Sequence, residues 1–115
     1  MAEALFNKSF IGPMGKIRSV AIEFRVLKCI GEKEAYPYSL FKKLSNSEHG
    51  RFFKLEKSEL YNTIASLEKR GYIKVSRHKV AKKYYAITPK GKRVLSNLKR
   101  IYSKTLSEII RLLSD

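Results

Sequence analysis

Hydrophobic residues recur along this chain at two different periods, and the switches between those periods mark its elements. Ile17 to Ile30 reads as a helix with two apolar faces, Ile17, Val20, Phe24 and Leu27 on one and Ile22, Val26 and Cys29 on the other. Such a helix is sandwiched between two layers, one the domain's own core and the other the C-terminal helix of either subunit. Gly31 is expected to close it. Pro37 restarts the chain, and Tyr38 to Leu44 predicts a short second helix with Leu40, Phe41 and Leu44 inward. Leu60, Ile64 and Leu67 then fall at i, i+4 and i+7, a narrow stripe on a third helix that Gly71 ends. Beyond Gly71 the period becomes two. Ile73 and Val75 alternate with Lys74 and Ser76, and Tyr85 and Ile87 with Tyr84 and Ala86, as in a β-hairpin. Thr88 before Pro89 pairs an N-cap with proline at the first helical position, and starts a long helix reaching to about Leu113.

The third helix is polar where it is not apolar. Ser58, Asn62, Ala65, Ser66 and Lys69 lie opposite its stripe, giving a slim face of the kind that fits a DNA major groove. Glu56 at its start is a mediocre cap, but Glu59 three residues later can reach back as in a capping box. Between the hairpin arms stand Arg77, Lys79, Lys82 and Lys83, with His78 as a fifth cation when protonated. Helix, glycine, basic hairpin and capped helix together spell a winged helix-turn-helix, mainly α with a small β-wing.

The last helix is more apolar than one small domain requires. Leu95, Leu98, Tyr102, Leu106, Ile109 and Leu113 form its stripe, widened by Val94, Ile101 and Leu112. That surplus argues for the same helix of a second copy, packed about a two-fold axis, and so for a homodimer. The alternative is a helix folded back on the first helix of its own chain. The expected organisation is an N-terminal arm over 1–16, a winged-helix domain over 17–88 and a dimerisation helix over 89–115. In the arm, Leu5, Phe6, Phe10 and Ile11 could dock on a partner subunit, but Gly12-Pro13-Met14-Gly15 is expected to break any regular element. A mobile arm or a disordered tail are the other readings of it.

Charge decides the class of partner. The 115 residues carry 25 Lys and Arg against 10 acids, a formal +15, and from Lys69 to Ser107 there are 13 Lys and Arg and no carboxylate. A thermophilic ion-pair surface would enrich both signs, whereas one sign alone is the footprint of a polyanion partner. A single cysteine, Cys29, excludes an internal disulfide and fits a reducing compartment, as a buried structural thiol. Neither a signal peptide nor an apolar stretch of membrane-spanning length is visible, which points to the cytoplasm. His49 lies in a polar loop over Ser45 to Phe53, and neither it nor His78 has a second metal ligand nearby, so no metal or cofactor is expected. Catalysis is not expected either. The only aspartate is Asp115, the glutamates are scattered, and no phosphate loop or nucleophile–base pair is present.

The runs Leu60-Tyr61-Asn62-Thr63-Ile64-Ala65-Ser66-Leu67-Glu68-Lys69-Arg70-Gly71-Tyr72-Ile73 and Lys83-Tyr84-Tyr85-Ala86-Ile87-Thr88-Pro89-Lys90-Gly91 resemble the winged-helix transcriptional regulators of the PadR type, and more loosely the MarR and ArsR types. The likeness covers roughly Phe24 to the C-terminus. It implies that Leu60 is a core residue, that Tyr61 sits beside the DNA backbone and that Gly91 opens the dimerisation helix. The chain departs from the family at Tyr36-Pro37-Tyr38, where members usually show a Gly-Tyr pair.

The expectation is therefore a dimeric, sequence-specific regulator of double-stranded DNA. Lys57, Ser58, Asn62, Ser66 and Lys69 would face base edges or flanking phosphates in the major groove, Tyr61 would sit beside the backbone as the resemblance implies, and Arg77, His78, Lys79, Lys82 and Lys83 would hold the adjacent backbone or minor groove. Lys42 and Lys43 could touch phosphate or simply be solvated. The rival expectation is an architectural, chromatin-type protein binding duplex without sequence choice. A third is a winged helix used for protein contact. Operator and effector are not named by the sequence.

Overall fold

A computed structural model describes the backbone of residues 8–47 and 54–114, and side chains from residue 18 onward within them. In chain order the elements are α1 (Lys8–Glu32), α2 (Pro37–Ser45), α3 (Lys57–Lys69), β1 (Ile73–Lys79), β2 (Lys82–Ile87) and α4 (Pro89–Ser114). The fold is a winged helix, three helices and a two-stranded antiparallel wing followed by a long fourth helix.

The three helices close on one core. Val26, Leu27 and Ile30 from α1 meet Leu40 and Leu44 from α2 and Leu60, Ile64 and Leu67 from α3, with Ile73 and Tyr85 sealing the wing side. Each fully buried Leu or Ile contributes about 1.5–3 kcal/mol by leaving water. The stripe read from the sequence of α3 is this buried seam, and Leu60 and Leu67 are 0% exposed.

Two boundaries differ from expectation. α1 begins at Lys8, so Gly12-Pro13-Met14-Gly15 lies inside a 25-residue helix instead of breaking it. A proline removes the rung to the carbonyl four residues back, and for Pro13 that carbonyl belongs to Ser9, in the first turn, where little helix precedes it. Residue 16 is thus no break, while residues 1–7 of the expected arm lie outside the described residues. The second difference is at Gly31, which does not close α1. The helix continues to Glu32, and Lys33 N–H still donates to the Cys29 carbonyl at 3.3 Å. Gly31 instead faces the wing and α4, where a Cβ would stand 3.5 Å from Ile87 Cδ1 and 3.6 Å from Leu95 Cδ2.

Gly71 ends α3 at φ 80°. Its N–H donates to Glu68 O and that of Tyr72 to Leu67 O, each at 2.9 Å, which satisfies the last carbonyls of the helix in the Schellman pattern. The chain then runs straight into β1. Ile73 pairs with Ile87 and Val75 with Tyr85, and a bulge at Ser76 shifts the register before Arg77 meets Tyr84. Strand pairing extends to Lys79 and Lys82, so the expected connecting cations belong to the strands. Only Val80 and Ala81 turn the chain, at φ 50° and 61°. Both central residues at positive φ suit the right-handed twist of a hairpin. A two-stranded ribbon is marginal alone. Here a third segment supports it, since Ala35 N–H donates to Tyr85 O at 3.1 Å and Tyr85 N–H to Ala35 O at 2.8 Å.

α4 starts as the sequence indicates. Thr88 Oγ1 accepts from Gly91 N–H at 3.0 Å and donates to Gly71 O at 2.7 Å, tying the cap of α4 to the end of α3. Gly91 is buried against the Tyr72 carbonyl, and a Cβ built there would lie 2.0 Å from that oxygen and 2.8 Å from Ile87 Cγ1. Val94, Leu95 and Leu98 pack against the core of their own protomer. From Ile101 to Ser114 every residue of α4 is exposed.

Gly31 and Gly91 therefore differ in what they tolerate. Gly91→Ala is expected to cost about 3 kcal/mol, by overpacking against backbone that cannot retreat, and to lower the thermal midpoint by more than about 10 °C. Gly31→Ala should be neutral or stabilising by up to about 1 kcal/mol. Thermal unfolding followed by circular dichroism measures both, and equal shifts would contradict the close approach at Gly91.

Candidate nucleic-acid interface

The polar side of α3 is held outward by what lies beneath it. Glu59 is the anchor. Its Oε1 accepts the Glu56 N–H at 3.1 Å, capping the helix, while Arg18 of α1 donates Nε to Oε2 and Nη2 to Oε1, each at 2.7 Å. The guanidinium, the largest influence, holds the Glu59 carboxyl below the usual carboxylate range. At the other end Arg70 donates to Glu23 Oε1 at 2.6 Å, so both ends of α3 are pinned to α1.

Of the DNA-contacting residues expected on α3, Lys57, Ser58, Tyr61, Asn62 and Lys69 are exposed. Tyr61 is 47% exposed. Ser66 is only half-exposed, and its carbonyl accepts from Arg70 N–H at 3.0 Å and from Arg70 Nε at 3.3 Å. The Lys57 ammonium rests 5.9 Å from the centroids of both Tyr38 and Phe41, and Lys42 stands 5.6 Å over Tyr38. Tyr38, half-exposed at the start of α2, thus joins α2 to α3 under two cations. The sequence marked it only as a departure from the family pattern at Tyr36-Pro37-Tyr38, and that departure was the signal.

The wing presents His78, Lys79, Lys82 and Lys83 as exposed residues. Arg77 is different. Its Nε donates to Glu34 Oε1 at 2.5 Å, and its guanidinium lies 4.2 Å over the Tyr84 ring. Ser76, the bulged residue, donates Oγ to Glu34 Oε2 at 2.7 Å. The Ser76 hydroxyl first, and Arg77 after it, hold the Glu34 carboxyl below its ordinary range. Tyr84 in turn meets Tyr36 edge-on at 5.2 Å, and Lys82 caps Tyr36 at 4.5 Å. The wing is thereby braced to the segment between α1 and α2, a role for Glu34 that charge counting in the sequence missed.

Between wing and α3 runs a cleft of about 540 Å³, walled by Tyr36, Tyr38 and Tyr61 and rimmed by Lys82 and Lys83, with Glu68 at its side. Burial, and next the Glu68 charge, push the Tyr85 hydroxyl above its usual range. The Tyr36 and Tyr38 rings carry cations on their faces, which leaves them little open surface for stacking unpaired bases. His49, Gly50 and Arg51 lie outside the described residues. No grouping of three His, Cys, Asp or Glu that could hold a metal occurs among the described residues. Nor is any described helix long and apolar enough to cross a membrane.

Residues 26–97, well over half of the chain, match the sequence profile of the Transcriptional regulator PadR-like family. Solved structures agree in fold. A PadR family transcriptional regulator from Eggerthella lenta aligns with a TM-score of 0.74 at 22% identity, covering 96% of each chain. A PadR-like transcriptional regulator from Bacillus cereus aligns at 0.72 with 25% identity, covering 87% of this chain and 98% of that one. A PadR family transcription regulator from Clostridium difficile aligns at 0.68 with 21% identity, covering 80% and 97%. No curated protein matches the sequence.

The anchoring of α3 by Glu59 is open to a pH test. Because its folded-state pKa is lowered, its contribution is full above the ordinary carboxylate pKa and fades as pH falls through the folded value. Glu59→Gln should lose about 1 kcal/mol of stability at neutral pH, with the gap to wild type closing in acid. Urea unfolding across pH measures it, and a gap independent of pH would show that the carboxylate charge is immaterial.

Proposed function

The chain belongs to the PadR-like family of transcriptional regulators, and from that premise we propose that it is a homodimer binding double-stranded DNA sequence-specifically. The family is one of regulators rather than enzymes. The observation that carries the reading is the pairing of a slim exposed face on α3 with a braced cationic wing, one cleft apart. In a duplex the major and minor grooves are separated by one sugar–phosphate strand. With α3 in the major groove, that strand would run along the cleft, beside Tyr61, and the wing would reach the next backbone or minor groove.

Roles divide by chemistry. Asn62 is exposed midway along α3, and its amide can pair two-fold with adenine. Lys57, Ser58, Ser66 and Lys69 flank it as base-edge or phosphate contacts, Ser66 being the most recessed. His78, Lys79, Lys82 and Lys83 supply affinity without sequence information. Arg77 joins them with the donors that Glu34 leaves free.

The exposed end of α4 supports the dimer. Leu95 and Leu98 already serve the protomer core, so the seam between copies would begin at Ile101 and Tyr102 and run through Leu106, Ile109 and Leu113. An apolar helix face of this length in water is a partner site. Two copies would read half-sites roughly 34 Å apart. The same reading sets the protein in the cytoplasm with the DNA.

Selection of fragments from random duplex DNA, followed by titration, tests specificity. The selected site should win over bulk DNA by roughly 10³-fold or more at physiological salt; equal competition by any duplex would favour an architectural role. In the same titration the double change Lys82→Ala and Lys83→Ala should weaken all sequences alike and lower the salt slope by about one per lost phosphate contact. Asn62→Ala should cost about 1–3 kcal/mol at one base position only. Sedimentation should give two copies for the wild type and one for the variant carrying Leu106→Asp and Ile109→Asp, and an unchanged mass would move the seam elsewhere.

A further inference from the structure

Much of the positive charge is not on the DNA-reading face just described. α4 carries Lys92, Arg93, Lys99, Arg100 and Lys104 off its apolar stripe, Arg93, Arg100 and Lys104 opposite it and Lys92 and Lys99 along one flank, and all five are exposed. Their spacing places them along one face over about three turns, roughly 18 Å of helix, with the small residues Ser96 and Ser103 between them. None of the five has an ion-pair partner among the described residues, where the glutamates Glu59, Glu23, Glu34 and Glu32 serve Arg18, Arg70, Arg77 and Lys43. Arg100 makes only a long hydrogen bond, 3.4 Å, to Asn97. Like charges one and two turns apart repel one another and weaken the helix that bears them. A row of this kind is stabilised when a polyanion lies along it.

The row does not belong to the face made by α3 and the wing. α1 packs against both α3 and α4, and the polar side of each points away from it. Nor is α4 assigned to a membrane surface. An interfacial helix buries its apolar stripe in lipid with its cations alongside, whereas here Val94, Leu95 and Leu98 serve the protein core and the exposed stripe from Ile101 to Leu113 is taken by the seam between copies proposed above. What remains complementary is a phosphate backbone.

We propose that the cationic face of α4 is a second duplex-binding surface, by which a protein molecule already holding DNA through α3 and the wing takes up a second DNA segment. The contact is to phosphate, without base recognition. It rests on the reading of α3 and the wing as a duplex-binding face, and adds bridging to it.

A two-duplex capture assay tests this. A biotinylated duplex is immobilised and saturated with full-length protein, and a fluorescent duplex of different sequence is then offered. The wild type should retain the second duplex in a strongly salt-dependent manner, with a slope of about −4.5 if all five cations meet phosphate. The variant with Lys92, Arg93, Lys99, Arg100 and Lys104 changed to Gln should lose that retention tenfold or more, yet bind the first duplex within about threefold of wild type, since separate surfaces are screened beyond about 10 Å. Gln keeps helix propensity, and exchanging Lys for Arg and Arg for Lys at the same five positions should retain capture, separating charge from structural damage. Capture that survives neutralisation of α4, or that disappears only when Lys82 and Lys83 are replaced, would overturn the assignment in favour of bridging by the reading heads. A wild type that holds the first duplex and refuses the second overturns it alone; one that binds no duplex overturns the α3–wing reading as well.

Discussion

The end of α3, the wing and the start of α4 meet at the carbonyl of Tyr72. It accepts the Thr88 N–H at 3.0 Å and the Thr88 hydroxyl at 3.1 Å, while the residue's own N–H closes α3 on Leu67. Gly91 lies against the same oxygen because no side chain fits there. The end of α3, both roots of the wing and the first turn of α4 therefore share one backbone junction, which sets the wall of the cleft together with the bracing of the wing by Glu34 and Ala35.

Much of this was legible in the sequence, for identifiable reasons. The stripe Leu60, Ile64 and Leu67, the cap at Thr88-Pro89 and the stop at Gly71 are local signals whose chemistry completes itself within a few residues. The capping box at Glu56 and Glu59 is of the same kind. What the sequence concealed lies between residues far apart. Glu59 meets Arg18, Glu23 meets Arg70, and Glu34 meets Ser76 and Arg77 across intervals of more than forty residues, as no periodicity can report. A glycine near a helix end, as at Gly31, looks the same in sequence whether it supplies a positive φ or merely room. The cost of Pro13 depends on how much helix stands before it, which local pattern does not report.

The long-range pairs also sort the cations by type. Arg18, Arg70 and Arg77, whose planar groups grip a carboxylate at two points or lie flat on a ring, are used inside the protein. The wing tip is left to lysine at Lys79, Lys82 and Lys83, a compact charge on a flexible stem.

The tip of the wing carries a consequence of its own. Val80 and Ala81 both sit in the left-handed region, which costs residues with a Cβ about 1–2 kcal/mol each, and the lysines Lys79 and Lys82 face one another beside them. The turn residues themselves do not favour this ribbon. Cut from its host, the segment from Tyr72 to Thr88 would have no autonomous fold, and its shape is on loan from Ala35, Glu34 and the core beneath Tyr85. The wing is therefore a shape conferred by its surroundings more than by its own turn.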